Sequence, residues 1–252
     1  MHNISKRGQV TLFIIIGIVI VGAVVLLAVT RKLPFISPAG PEKINIEECI
    51  QESINNALDI ILPQGGFANP PLYQDYKGKK VAFLCYTNNF YEHCIVQTPF
   101  LGENIKQGIE TYAESKIKDC FYVLEQDYKD RGYGVESRPL NFSVEILPNK
   151  ISVNINKELI FIKGEERKVY NEFRVNKVSA LFSMLMVVHD AIEKEASQCN
   201  FDYLMYMIIN PEFSIELKTF GTEVKIYNIK SKKTGEEINF AVRSCAMPPN
   251  IV

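Results

Sequence analysis

From Val10 to Thr30 the chain reads VTLFIIIGIVIVGAVVLLAVT, without one charged residue. A helix needs about 20 apolar residues to cross a hydrocarbon core about 30 Å thick. Within a bilayer a helix satisfies its own backbone N–H and C=O groups, so the many Ile and Val residues do not count against it. The run therefore predicts a transmembrane helix that contacts membrane lipid through residues 10–30. A cleaved leader and a buried core helix are the other readings; a secretory leader usually has a shorter apolar core that ends at small residues. Lys6 and Arg7 precede the run, and Arg31 and Lys32 follow it. The basic residues that set orientation thus balance and leave it open.

Cysteine placement bears on orientation. Cys49, Cys85, Cys94, Cys120, Cys199 and Cys245 all lie beyond the apolar run. An even number in a translocated domain suits disulfides, which persist in oxidising compartments. This favours a cell-membrane protein with one span and its C-terminal domain outside. Formal net charge is −1, so nothing points to a nucleic-acid partner. Apolar residues make up 47% and charged residues 23%, which is globular composition.

Residues Lys6-Arg7-Gly8-Gln9-Val10-Thr11-Leu12-Phe13 resemble an archaeal class III signal peptide, the kind carried by type IV pilin-like proteins. The resemblance implies cleavage after Gly8 by a membrane peptidase, with Gln9 as the first mature residue, a retained helix and an extracellular C-terminal domain. Residues 1–8 would be the leader and 9–30 the membrane helix. Two departures argue against a filament subunit. Such pilins carry Glu at the fifth mature position, where this chain has Phe13, and their first helix runs on into the filament core. Here Pro34, Pro38 and Pro41 follow; proline removes a backbone donor and clashes with the preceding turn, so residues 31–43 read as an extended linker. With its Gln64-Gly65-Gly66 and paired cysteines the chain also looks like uncharacterised archaeal surface proteins, a resemblance that carries no activity.

Residues 44–252 read as an α+β ectodomain, a mostly antiparallel sheet with packed helices, with a possible sub-boundary near residue 136. Helical periodicity predicts helices over about 44–62, 103–124 and 178–197, with Asn45 as a cap for the first and a short helix at about 202–209. The middle of the third, LFSMLMVVHDAI, is apolar on most sides and reads as the central core helix. FANPPLYQDYKGKK reads as a loop, and VAFLCYTNNFYEHCIV as a hairpin turning at Asn88-Asn89. Alternating residues predict strands around Phe142–Ile146 and Ile151–Ile155, joined at Pro148-Asn149. Further strands fall over 159–162, 168–175, 213–217, 224–229 and 238–242.

The elements also suggest the disulfides. In a hairpin with a four-residue loop at Asn88–Tyr91, Cys85 and Cys94 sit opposite, at ~4.5–5.5 Å between Cα atoms, within reach of a disulfide. Cys49 and Cys120 lie on the apolar stripes of the first two helices and meet if those helices pack antiparallel. Cys199 is left for Cys245. Six buried free thiols would be the alternative, since Cys tolerates burial as a small hydrophobe.

Little catalytic chemistry is legible. No G-x-S-x-G, Walker A or Gly-rich dinucleotide turn is present. His93, beside Cys94 and near Cys85, lacks the tight ligand pairs of a structural zinc site. His189-Asp190 has no nucleophile in a recognisable setting. Tyr73, Tyr76, Tyr86 and Tyr91, with Phe83 and Phe90, form an aromatic enrichment that strand packing accounts for better than a binding surface. No catalytic, cofactor or metal residues are assigned. The expectation is a membrane-anchored surface protein with a disulfide-stabilised ectodomain, binding or structural in role, with a possible protein partner at the cell surface. The alternatives are a pilin-like filament subunit and an enzyme of unrecognised family.

Overall fold

The computed structural model describes Ile20 and residues 46–248. The rest of the Val10–Thr30 run, the Gly8–Gln9 junction, the 31–43 linker and Asn45 lie outside the described residues. Among the described residues no helix is long and apolar enough to cross a membrane. The chain divides into Met1–Ile44 and Asn45–Val252, and the elements below belong to the second unit.

Helix α1 (Ile46–Ile61) buries Ile50, Ser53, Ile54, Ala57, Leu58 and Ile61, one face at helical spacing. A 3-10 turn over Leu62–Gln64 ends it, and Gly65 follows in the left-handed region at φ 76°. A Cβ on Gly65 would lie 2.8 Å from Ala82 Cβ, and one on Gly66 2.7 Å from Ile105 Cγ1. The glycine pair thus lets the end of α1 settle against its neighbours. Helix α2 (Leu101–Asp130) buries a stripe from Leu101 through Ile105, Ile109, Ala113, Ile117 and Phe121 to Tyr128. It outruns the expected end at residue 124. Tyr128 packs on Phe161 with ring centres 4.1 Å apart, and Asp127 pairs with Arg131 at 2.9 Å.

Among the described residues there are two sheets, so the fold is α+β. The first has the order β1 (Tyr73–Tyr76), β2 (Lys79–Tyr86), β10 (Glu237–Arg243), β9 (Val224–Ser231), β8 (Phe213–Phe220), with β3 (Ile95–Val96) also on β2. All its pairings are antiparallel except β2 with β10, which run parallel. Strand β1 lies in the stretch expected to be a loop. Lys77 and Gly78 both take positive φ, the tight hairpin turn that brings Tyr76 back onto Lys79. In the second sheet β6 (Lys150–Lys163) pairs with β4 (Gly134–Ser137), β5 (Asn141–Leu147) and β7 (Glu166–Val178). Two strands were expected where β6 runs unbroken; a shift in its register with β7 between Asn156 and Leu159 marks the place. There Lys157 Nζ reaches Glu125 at 3.1 Å and Ser137 at 2.7 Å. Helices α3 (Leu181–Gln198) and α4 (Tyr203–Ile209) separate the strand groups.

Three disulfides staple the domain: Cys49–Cys120 between α1 and α2, Cys85–Cys94, and Cys199–Cys245. These are the pairs expected from the sequence, but the route to the second differs. Cys85 stands opposite Val96 rather than Cys94. The loop from Thr87 to Cys94 opens because the segment after β10 bonds to it. Thr87 N–H donates to Arg243 O, Tyr91 N–H to Ala246 O, and Cys245 N–H to Glu92 O. A disulfide-stapled domain of this kind belongs to an oxidising, extracellular setting.

Candidate functional site

Helix α3 is apolar around most of its circumference because it serves two surfaces. Leu181, Met184, Val187, Val188, Ala191, Ile192 and Glu195 are buried. The other side, with Leu185, Met186, His189 and Ala196, lines a groove of about 510 Å³ whose far wall is Val96, Thr98, Pro99, Leu101 and Gly102. The expected central core helix is therefore a core helix on one face only. Of the lining residues Met186 is 50% exposed and Val96 38%. Apolar side chains on both walls and a volume in the range of small-molecule and peptide sites make this a candidate binding groove.

His189 lies on the groove wall and is exposed. Its neighbour Asp190 accepts a hydrogen bond from Tyr206 Oη at 3.1 Å. Burial and that carboxylate push the Tyr206 phenol up to about 12.

Behind α3 lies a buried ionic cluster. Glu195, fully buried, accepts from Lys225 Nζ at 2.9 and 2.8 Å and from the Tyr227 hydroxyl. Burial and the Glu195 charge push the Tyr227 phenol far above the ordinary tyrosine range. Lys225 also donates to Cys199 O at 2.6 Å. The Ser244 hydroxyl donates to Glu195 O at 2.9 Å and lies 3.5 Å from Cys199 Sγ. Lys225 and Tyr227 are two apart on β9, so one strand face delivers both.

This cluster leads to the Cys199–Cys245 disulfide at the end of α3. His93, exposed on the Thr87–Cys94 loop, brings Nδ1 to 3.3 Å from Cys199 Sγ. The ligand-capable atoms of His93, Cys199 and Cys245 lie within 4.8 Å of one another. The sequence reading set His93 beside Cys85 and Cys94, its neighbours in the chain. Cys94 instead turns inward to Cys85, both buried, while His93 faces the other disulfide. No spacing in the sequence signals this, because it depends on the parallel pairing of β2 with β10. Part of the aromatic enrichment is packing: Phe83 meets Tyr86 at 5.0 Å and Tyr76 meets Phe220 at 5.9 Å, while Tyr73, Phe90, with Arg243 5.2 Å over its ring, and Tyr91 are exposed. Gly8 and Gln9 are outside the described residues. No family model, no curated protein and no solved structure matches the chain.

Proposed function

We propose that this chain is a single-pass, membrane-anchored surface protein whose extracellular domain binds a protein partner through the groove along α3. The observation that carries the binding role is the groove itself: about 510 Å³ between an α3 wall with Leu185 and half-exposed Met186 and a far wall with Val96, Pro99 and Leu101. Exposed Met marks protein-contact surfaces, and Met adapts its shape to what it meets. The anchor reading rests on the uncharged Val10–Thr30 run. The disulfides support the outward placement of the domain.

The groove is tested with an environment-sensitive apolar dye, anilinonaphthalene sulfonate, added to the full chain in mild detergent, with detergent alone as the blank. Native protein is expected to enhance the dye's emission. Leu185→Asp with Met186→Glu is expected to abolish the enhancement while the non-reducing disulfide map stays intact. Unchanged emission from that variant would contradict the binding assignment.

A further inference from the structure

The geometry points to Cys199–Cys245 as a thiol-exchange site, at which an external thiol opens the disulfide with Cys199 as the leaving group. The inference rests on the disulfide cluster alone and is independent of the groove.

The three disulfides differ in surroundings. Cys85 and Cys94 are both buried, and in the Cys49–Cys120 pair Cys120 is buried and Cys49 partly exposed. Cys199 and Cys245 are both partly exposed, so an attacking thiolate can reach them. Cys199 Sγ also has a histidine against it, His93 Nδ1 at 3.3 Å, and the Ser244 hydroxyl at 3.5 Å. A leaving thiolate departs faster when its charge is stabilised, and an imidazole N–H beside it does this.

The charges facing Cys199 agree. It ends α3, where the helix dipole would oppose a thiolate. That effect is muted here. Lys225 Nζ donates to Cys199 O, and the Ser244 hydroxyl donates to Glu195 O. The Glu195 carboxylate is neutralised by the same Lys225 and held by Tyr227. From the loop side Glu92 is engaged by Asn89 Nδ2 at 2.7 Å.

The backbone supplies a second, independent observation. Cys199 and Cys245 take φ 55° and 47°, so both halves of this disulfide sit in the left-handed region that residues with a Cβ seldom adopt. None of the other four cysteines does so. Such backbone persists where the surrounding structure enforces it, and it gathers at functional positions.

The chemistry balances as follows. A thiolate RS⁻ attacks Cys245 Sγ, forming a mixed disulfide. The Cys199–Cys245 bond breaks, and its electron pair leaves on Cys199 Sγ, which takes a proton through His93. A second thiolate attacks the mixed disulfide, releases Cys245 as a thiolate that is then protonated, and departs as RSSR. The chain gains two electrons and two protons, and two thiols become one disulfide.

The test is graded reduction of the full chain in mild detergent with reduced glutathione, quenched with iodoacetamide and mapped by mass spectrometry. Cys199 and Cys245 are expected to alkylate first, at least about tenfold faster than the other four. His93→Gln is expected to slow that pair by about fivefold or more and leave the Cys85–Cys94 and Cys49–Cys120 rates unchanged, an internal reference that a general loosening of the fold would disturb. A His93→Lys variant, which places an ammonium donor at this position, should recover part of the rate. Reduction of either other pair first, or an unaltered Cys199–Cys245 rate in His93→Gln, would overturn the proposal.

Discussion

Glu236 is expected to be a keystone of the fold, and its removal gives a worked magnitude. It sits in the turn between β9 and β10, yet its carboxylate reaches the start of α3. Oε2 accepts from Ala180 N–H at 2.7 Å, Ser179 Oγ at 3.1 Å and Thr234 Oγ1 at 2.9 Å, while Oε1 accepts from Lys177 Nζ at 2.8 Å. Ala180, the N-cap residue, has no side chain able to cap, so a residue remote in sequence satisfies the helix end and ties the second sheet to the first. Hydrogen bonds to charged groups contribute about 1.5–3 kcal/mol, and stripping one partner from a buried ion pair costs about 3–5 kcal/mol. Lys177 retains 14% side-chain exposure and can turn partly to water. Glu236→Ala should therefore cost about 3 kcal/mol and Glu236→Gln about half that. For a domain of this size the alanine loss corresponds to about 6–12 °C in Tm, read by circular dichroism of the full chain in mild detergent. Burial raises the Glu236 pKa, but the Lys177 hydrogen bond, the Ala180 amide, the Lys177 charge and the Ser179 hydroxyl outweigh it and hold the group below its ordinary 4.5. The folded value lies under the unfolded one, so the stabilisation is complete above about pH 4.5 and is lost as pH falls through the folded pKa. The gap between wild type and Glu236→Gln should narrow on acidification. An alanine variant within about 0.5 kcal/mol of wild type, or a gap that stays constant between about pH 7 and pH 3, would refute the reasoning.

Lys225→Met should destabilise by about 3–5 kcal/mol, because it leaves the Glu195 carboxylate buried without its cation; adding Glu195→Gln should restore part of the loss in denaturant titration. Gly65→Ala combines a left-handed φ with a 2.8 Å approach to Ala82 and should cost about 2–4 kcal/mol, whereas Gly78→Ala, with open space around it, should cost about 1 kcal/mol in the same titration. Mass spectrometry of the mature chain should find Gln9, free or cyclised, as the first residue; an intact Met1 or His2 terminus would rule out cleavage after Gly8.

Local patterns carried the helices and most strands. The 3.6-residue stripe from Ile105 to Leu124 marked α2, and Pro148-Asn149 marked the β5–β6 turn because Asn tolerates the positive φ that Asn149 adopts. Strand β1 was hidden because Tyr73–Tyr76 follows a run of prolines and its turn uses Lys77 where Asn or Gly would have signalled it. The end of α2 was hidden because Tyr128 is held by Phe161, a contact no local window contains. Site features were less legible still. Local periodicity could show that α3 is apolar all round but not that one face opens to a groove. The meetings of His93 with Cys199, and of Glu236 with Ala180, join residues 106 and 56 apart in sequence. They follow from how sheets and helices close on each other, which single-sequence periodicity does not encode.

The account stands most directly on whether the domain that begins near Ile46 faces the outside of the cell. Intact cells carrying the full chain are treated with a membrane-impermeant amine-reactive reagent, and the labelled lysines are mapped by mass spectrometry. Lys116 and Lys118 lie exposed on α2 and should be labelled without lysis. Labelling of these lysines only after the membrane is broken would contradict the extracellular placement.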